Sequence, residues 1–575
     1  MSVALIVLTI ALLALFVVAV ARPWLGLLVL LAGLPFNGLF LHVVGSQLGL
    51  TGVTATMLAA WHDALAAGVI VAAGFHWLRT RPRAFGALEL TTAVVLALGL
   101  DSVLVAEHLT TALYAYRTFF EPIALAVAVV VLGRGRRIPS GLPSRAALTI
   151  VISGVVASLF SFWQVYVGGF SFLGTFYRSE DGSLSDSYFA TQITQPRAIG
   201  TFNSPNEFGA FLVIGLCLLC VTAAVPIRGR MRALISVPLG AALVLSISRS
   251  AWVSLMFALV LFAVTLPRKR EQIVALGSRL RRPQWWRTFA LPVALFVVLV
   301  TAIVSTSGLA NFVGATLGGR DPSAAAHLAQ LGQIAGGNIE NPAATDTPPP
   351  SSTPAAATPA GTAPAKTAPG ASATPAKTAP GASAPPATPA ATTPAATTPA
   401  ATTPAATSPA APTAAPCPPP ASSVPSSSSP APTPSAPVQG LRFVDVCSEV
   451  STGTHLEPFG MGLGAVGPKS GRFGEPVVLI NSEMWYLDYL WQAGYFGLFA
   501  LFALAAVVVR RLWRGRAIPI SRAALAVVVG LAAGALFIPV LDEPAVAIPM
   551  WTLAALGLLG VEEIPQTTDA APTVG

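Results

Sequence analysis

Read for hydrophobicity, the chain is a succession of apolar runs separated by short polar breaks. The runs begin near residues 2, 24, 53, 88, 113, 146, 205, 233, 250, 288, 486, 521 and 545. A helix needs roughly 17 to 25 apolar residues to cross a bilayer, and the runs meet or approach that length. The pattern therefore predicts an all-α, polytopic membrane helix bundle of about 12 to 13 transmembrane helices. The eighth and ninth runs are short and meet at "SISRSAW", which predicts a tight hairpin or one broken helix. The first run, "MSVALIVLTIALLALFVVAVA", lacks the basic flank of a signal peptide and is followed by further runs, so it is expected to be a retained helix.

Composition supports this class. Hydrophobic residues make up 54% of the 575 and charged residues 10%, with mean hydropathy +0.70; soluble domains carry about 25% charge. The net charge of +9 carries topology rather than a nucleic-acid surface, because the basic residues cluster between apolar runs. "RTRPR" (79–83), "RGRR" (134–137), "RGRMR" (228–232), residues 268–287 and "RRLWRGR" (510–516) are expected to face the cytoplasm. Residues 169–204, the turn near Arg249 and residues 309–485 then face outward, with the N-terminus outside.

The resulting layout has N-terminal transmembrane helices over 1–168, an outer loop over 169–204 and central helices over 205–308. A large outer loop follows over 309–485, then C-terminal helices over 486–561 and a disordered tail over 562–575. Within the large loop, residues 342–440 are almost entirely Pro, Ala, Thr and Ser. That composition cannot bury a core, so a disordered, polyproline-rich spacer is expected. As a flexible coil its ends would lie about 55 Å apart, and its Ser/Thr/Pro content permits O-glycosylation. Cys417 and Cys447 flank its end, where an exported setting would allow a disulfide, whereas Cys217 and Cys220 sit in an apolar run and are expected to be small buried side chains.

The candidate chemistry gathers at predicted outer helix ends. "RAIGTFNSPNEFGAFL" (197–212) brings Arg197, Asn203, Asn206 and Glu207 to the start of the seventh run, and Arg249 lies in the "SRS" turn. Glu483 precedes the eleventh run, Arg320 and His327 lie in the large loop, and Arg117 in "YAYRTFFEP" begins the fifth. A charge at a helix end is often an interfacial anchor, but the positive-inside tendency works against placing Arg197 and Arg249 outside. Convergent guanidinium groups match phosphate oxygens. The glycine-rich "GMGLGAVG" (460–467) has no strand before it and no helix opening from it, so it reads as a tight turn that lets backbone approach a ligand or the bundle. There is no HExxH, no Walker loop and no Cys/His metal spacing, and the six histidines are scattered, so no metal or cofactor is expected.

Taken together, "RAIGTFNSPNEFGAFL", "SRSAW", "GGRDPSAAAHL" with "FGMGLGAVGP", and "SEMWYLDYLWQAGYFGL" resemble the O-antigen ligase and polymerase family of membrane glycosyltransferases. The resemblance covers roughly 190–340 and 455–505 and implies a GT-C-like bundle in a bacterial plasma membrane with its active face outward. Such proteins move a glycan from a polyprenyl-pyrophosphate carrier to an acceptor hydroxyl. The resemblance assigns pyrophosphate contacts to Arg197 and Arg249, with Arg320 as a third, and places Glu483 where many ligases have a histidine, eleven residues before Gly494. Met484 stands where an asparagine is usual. The rival reading is a transporter or flippase for a lipid-linked polysaccharide, which calls for charged residues near mid-membrane and related halves; neither is evident from the runs.

Overall fold

A computed structural model describes residues 3–50, 52–80, 86–169, 197–221, 224–265, 458–460, 462–464 and 485–562. All belong to one of the chain's two units, Met1–Pro342 together with Val438–Gly575. Among the described residues the secondary structure is helical throughout and contains no strand. We number the helices α1 Val3–Ala21, α2 Pro23–Gly33, α3 Asn37–Gln47, α4 Gly52–Ala59, α5 Trp61–Thr80, α6 Ala87–Leu104, α7 Leu109–Arg134 and α8 Leu142–Trp163. After residue 196 come α9 Pro205–Cys220, α10 Gly229–Leu245, α11 Arg249–Thr265, α12 Trp485–Arg514, α13 Pro519–Gly534 and α14 Pro544–Glu562.

Twelve of the predicted runs fall on these helices; the run from 288, the 342–440 spacer, Cys417, Cys447 and the tail beyond 562 lie outside the described residues. Among the described residues, seven spans are long and apolar enough to cross a membrane, or eight if α4 and α5, which meet at a 51° bend, count as one. The chain is thus a multi-pass helical membrane protein. Two details differ from the hydrophobic pattern. The fifth run begins at Leu109 rather than near 113, so Arg117 lies two turns inside α7 instead of at its start. Backbone hydrogen bonding carries a helix past the end of its apolar stretch, which hydropathy alone does not register. In addition, α10 and α11 do not form a tight hairpin. A short turn, Ser246–Ser248, joins them, and both pack against α9.

The core centres on α14, which packs against α7 and α13 and also touches α12, α9 and α8. Its Val546, Ile548, Leu553 and Leu556 are fully buried. At the periphery α1 packs on α5 and turns Val3, Ile6, Val7, Ile10 and Leu13 outward, a side-chain set that hydrocarbon would solvate. Lipid supplies no hydrophobic drive between helices, so close backbone approach through small residues takes its place. Gly530 and Gly534 of α13 accordingly lie directly against Ser254 of α11.

The two ends of the bundle differ in chemistry. At one, Arg134 pairs with Glu89, with Arg511 beside that carboxylate, and His76 abuts Gly135. This end gathers the basic clusters that close α5, α7 and α12. At the other end lie the Ser246–Ser248 turn, the 197–204 segment and the start of α12, where the Trp485 amide donates to the Ala535 carbonyl at 3.2 Å. Cys217 is buried in α9 as expected, but Cys220 at its end is exposed.

Candidate functional site

The polar stretch before α9 divides into two tasks. Ser204 is the N-cap: its Oγ accepts the Glu207 amide at 3.2 Å, and Pro205 occupies the first turn. Serine at the cap with an acid three residues on is the sequence form of a capping box, and proline at the first position leaves no helical amide unsatisfied. So "SPNE" is largely helix-start chemistry. Asn203 also has a structural task, because it reaches back to His42 on α3 and its carbonyl oxygen lies against Gly38. The neighbouring Thr201 carbonyl accepts the Leu39 amide at 3.0 Å. Asn203 is therefore turned toward α3 and docks the loop on that helix.

Arg197 does something else. Its Nε donates to the Ser246 carbonyl and its Nη2 to the Ile247 carbonyl and to Asn206 Oδ1, each at 3.1 Å. One guanidinium thereby joins the loop, α9 and the carbonyl end of α10, where a cation is favoured by the helix dipole. The turn it grips is strained. Ile247 has φ +49, a region that a β-branched residue enters only when its surroundings impose it. Strain of this kind costs on the order of 1–3 kcal/mol and is concentrated at functional sites.

Arg249 is the first residue of α11, the positive end of that helix, where a cation is disfavoured. It also lies close enough to Arg197 to repel it. Burial, with that repulsion second, lowers the Arg197 guanidinium to about 10. Two guanidinium groups, the α11 N-terminus and the α9 N-terminus thus share one end of the bundle, a donor set of the kind that binds anions.

No protein-family model, curated protein or solved structure matches this chain. The site has to be read from its own geometry.

Of the residues singled out in the sequence, Arg197, Arg249 and Asn206 come together, whereas Glu483, Arg320 and His327 lie outside the described residues. Arg117 bonds elsewhere: its Nη1 donates to Asp63 Oδ2 of α5 at 2.8 Å, and Glu121 stands one turn further along α7. His62 completes this cluster, with Nδ1 3.1 Å from Asp63 Oδ1. Charged side chains thus meet between two helices, at the first turn of α5 and midway along α7. The signal was available in the sequence, since Asp63 and Glu121 interrupt otherwise apolar stretches. Their proximity was not, because 58 positions separate them.

The glycine-rich segment takes the second of its two expected uses and approaches the bundle. Gly460, Gly462 and Gly464 all have positive φ. The Leu463 amide donates to the Ser102 carbonyl at 3.1 Å and the Gly464 amide to Gln492 Oε1 at 2.9 Å. Its target is a break in α12 at Gly494, where the freed Phe496 amide donates to the Pro458 carbonyl at 3.2 Å.

The lowered affinity of Arg197 for its proton yields a test. A lysine ammonium starts from a lower value than a guanidinium, and the burial and repulsion that lower Arg197 would lower it further. Only the charged form attracts an anion. Inorganic pyrophosphate is therefore expected to raise the melting temperature of Arg197→Lys at low pH and to lose that effect as pH rises. Wild type should keep its response to higher pH than the variant. Identical profiles for the two proteins would show that Arg197 does not face the anion.

Proposed function

We propose that this protein is a membrane glycosyltransferase of the O-antigen ligase or polymerase type, moving a glycan from a polyprenyl-pyrophosphate carrier to an acceptor hydroxyl at the outer face of a bacterial plasma membrane. The observation that carries the reading is the placement of Arg249 at the positive end of α11 beside Arg197. Two guanidinium groups within reach of each other beside two helix N-termini are a donor set that suits a pyrophosphate. The opposite end of the bundle holds the basic clusters, which on the positive-inside tendency supports an outward-facing arginine pair.

In this reading the acceptor oxygen attacks the anomeric carbon and the bond from that carbon to the pyrophosphate oxygen breaks. Polyprenyl pyrophosphate departs with the electron pair. Arg197, held in orientation by Asn206, and Arg249 stabilise the charge growing on the leaving group, a task suited to fixed donors in a water-poor site. Glu483 accepts the acceptor's proton, an effect typically worth about 10²–10⁴-fold. The resemblance would make Arg320 a further phosphate contact, and His327 is a candidate for substrate binding. The partners are then the lipid-linked glycan donor, a glycan, lipid or cell-wall acceptor, and the membrane itself.

The test is transfer by the purified full chain from a polyprenyl-pyrophosphate-linked glycan to added acceptor, read as product formed. Glu483→Gln is expected to lower the rate at least about 10²-fold while donor binding persists. A variant as active as wild type would remove Glu483 from proton transfer. A second reading, transport of the lipid-linked glycan, draws on the Asp63–Arg117 pair between α5 and α7. It predicts movement of carrier across proteoliposomes without glycan joining.

A further inference from the structure

The cluster between α5 and α7 is not needed for pyrophosphate binding or for the proposed proton transfer, yet its side chains are arranged for a ligand. His62, in the first turn of α5, is 3% exposed, and it is followed directly by Asp63. Arg117 Nη1 occupies one oxygen of Asp63 at 2.8 Å, and the other is turned toward His62 Nδ1. Three buried atoms converge, one from each residue: His62 Nδ1 faces Asp63 Oδ1 at 3.1 Å, and Glu121 Oε1 belongs to a carboxyl group that lies against Asp63. One ligand atom from each of these residues can be chosen so that all lie within 4.8 Å of one another.

An ion pair that served only to join α5 to α7 would be complete with Asp63 and Arg117. It would explain neither the imidazole nitrogen aimed at the carboxylate nor Glu121 beside it. Two carboxylates beside one guanidinium need either a shared proton or a bound cation. The cluster sits at the first turn of α5 and midway along α7.

We propose that His62, Asp63 and Glu121 bind one divalent first-row metal ion, with Arg117 orienting Asp63 from behind. One imidazole nitrogen with two carboxylate oxygens suits Zn²⁺ or Mn²⁺ and lacks the thiolates that select softer ions. A donor on the far oxygen of a ligating carboxylate is the usual supporting arrangement. Motif spacing missed the site because the ligands come from two helices, as neighbours on α5 and a single residue on α7.

The test uses the full chain in lipid nanodiscs, stripped with chelator and re-exposed separately to Zn²⁺, Mn²⁺ and, as a spectroscopic probe, Co²⁺. Bound metal after gel filtration is expected at about one per chain, with visible Co²⁺ bands reporting nitrogen and oxygen ligation. His62→Gln and Glu121→Gln, checked for the wild-type elution position, should each weaken binding at least tenfold. Arg117→Lys should retain it. No metal retained by wild type, or equal retention by both glutamine variants eluting as wild type does, would overturn the proposal. Neither result bears on glycan transfer, which is measured separately.

Discussion

Arg249→Ala is expected to abolish most of the proposed glycan transfer, by about 10²–10³-fold. Arg249 begins α11 beside Arg197, and in the proposed reaction its removal takes away a charge that stabilises the leaving pyrophosphate. Arg197→Ala should lose transfer too. It frees the Ser246 and Ile247 carbonyls and Asn206 Oδ1 together, and buried groups left unpaired cost about 1–3 kcal/mol each. That variant should lose stability as well as transfer. Melting temperature beside transfer rate separates the two; a fully active Arg249→Ala would remove the arginine pair from the chemistry.

Gly494→Ala should be the most damaging single methyl addition in the described structure. Gly494 has φ +66 and ψ −178, a conformation that only glycine adopts readily. An added Cβ would also lie 2.3 Å from the Pro458 carbonyl oxygen and 2.5 Å from the Gly460 nitrogen. The segment 458–464 must then leave α12, or the break must close and take the Phe496 amide from its partner. Backbone strain alone would cost about 1–3 kcal/mol, and the collisions add to it. We expect a fall of several degrees in melting temperature, new proteolytic cleavage between residues 458 and 464, and loss of transfer. Gly45→Ala is the control: it is helical, an added Cβ meets nothing within 4 Å, and the change should be neutral or mildly stabilising. Equal behaviour of the two would mean that the break in α12 has no role.

Much of this protein is legible without coordinates, because hydrocarbon imposes a rule that each segment obeys on its own. A backbone in lipid must satisfy its own hydrogen bonds, so an apolar run such as 3–21 announces a helix from composition alone. Basic clusters such as 134–137 and 510–516 likewise mark one end of the bundle. The arginines were legible for the opposite reason, since Arg197 and Arg249 lie outside those basic clusters, at helix ends rich in amides and hydroxyls. Asn203 and Ser204 misled, because amides and hydroxyls at a helix start cap and dock as readily as they bind ligands, and the residues alone do not distinguish these uses.

Helix identity, polarity of the bundle and the presence of candidate arginines therefore follow from the chain itself, through interactions spanning a few residues or one segment. Partnership was decided only by tertiary structure: that Arg197 grips the end of α10, that a glycine-rich segment fills the break at Gly494, and that His62, Asp63 and Glu121 meet across two helices. Those outcomes depend on which helix faces hold small residues and pack together, a property of pairs of segments that no single stretch of sequence contains.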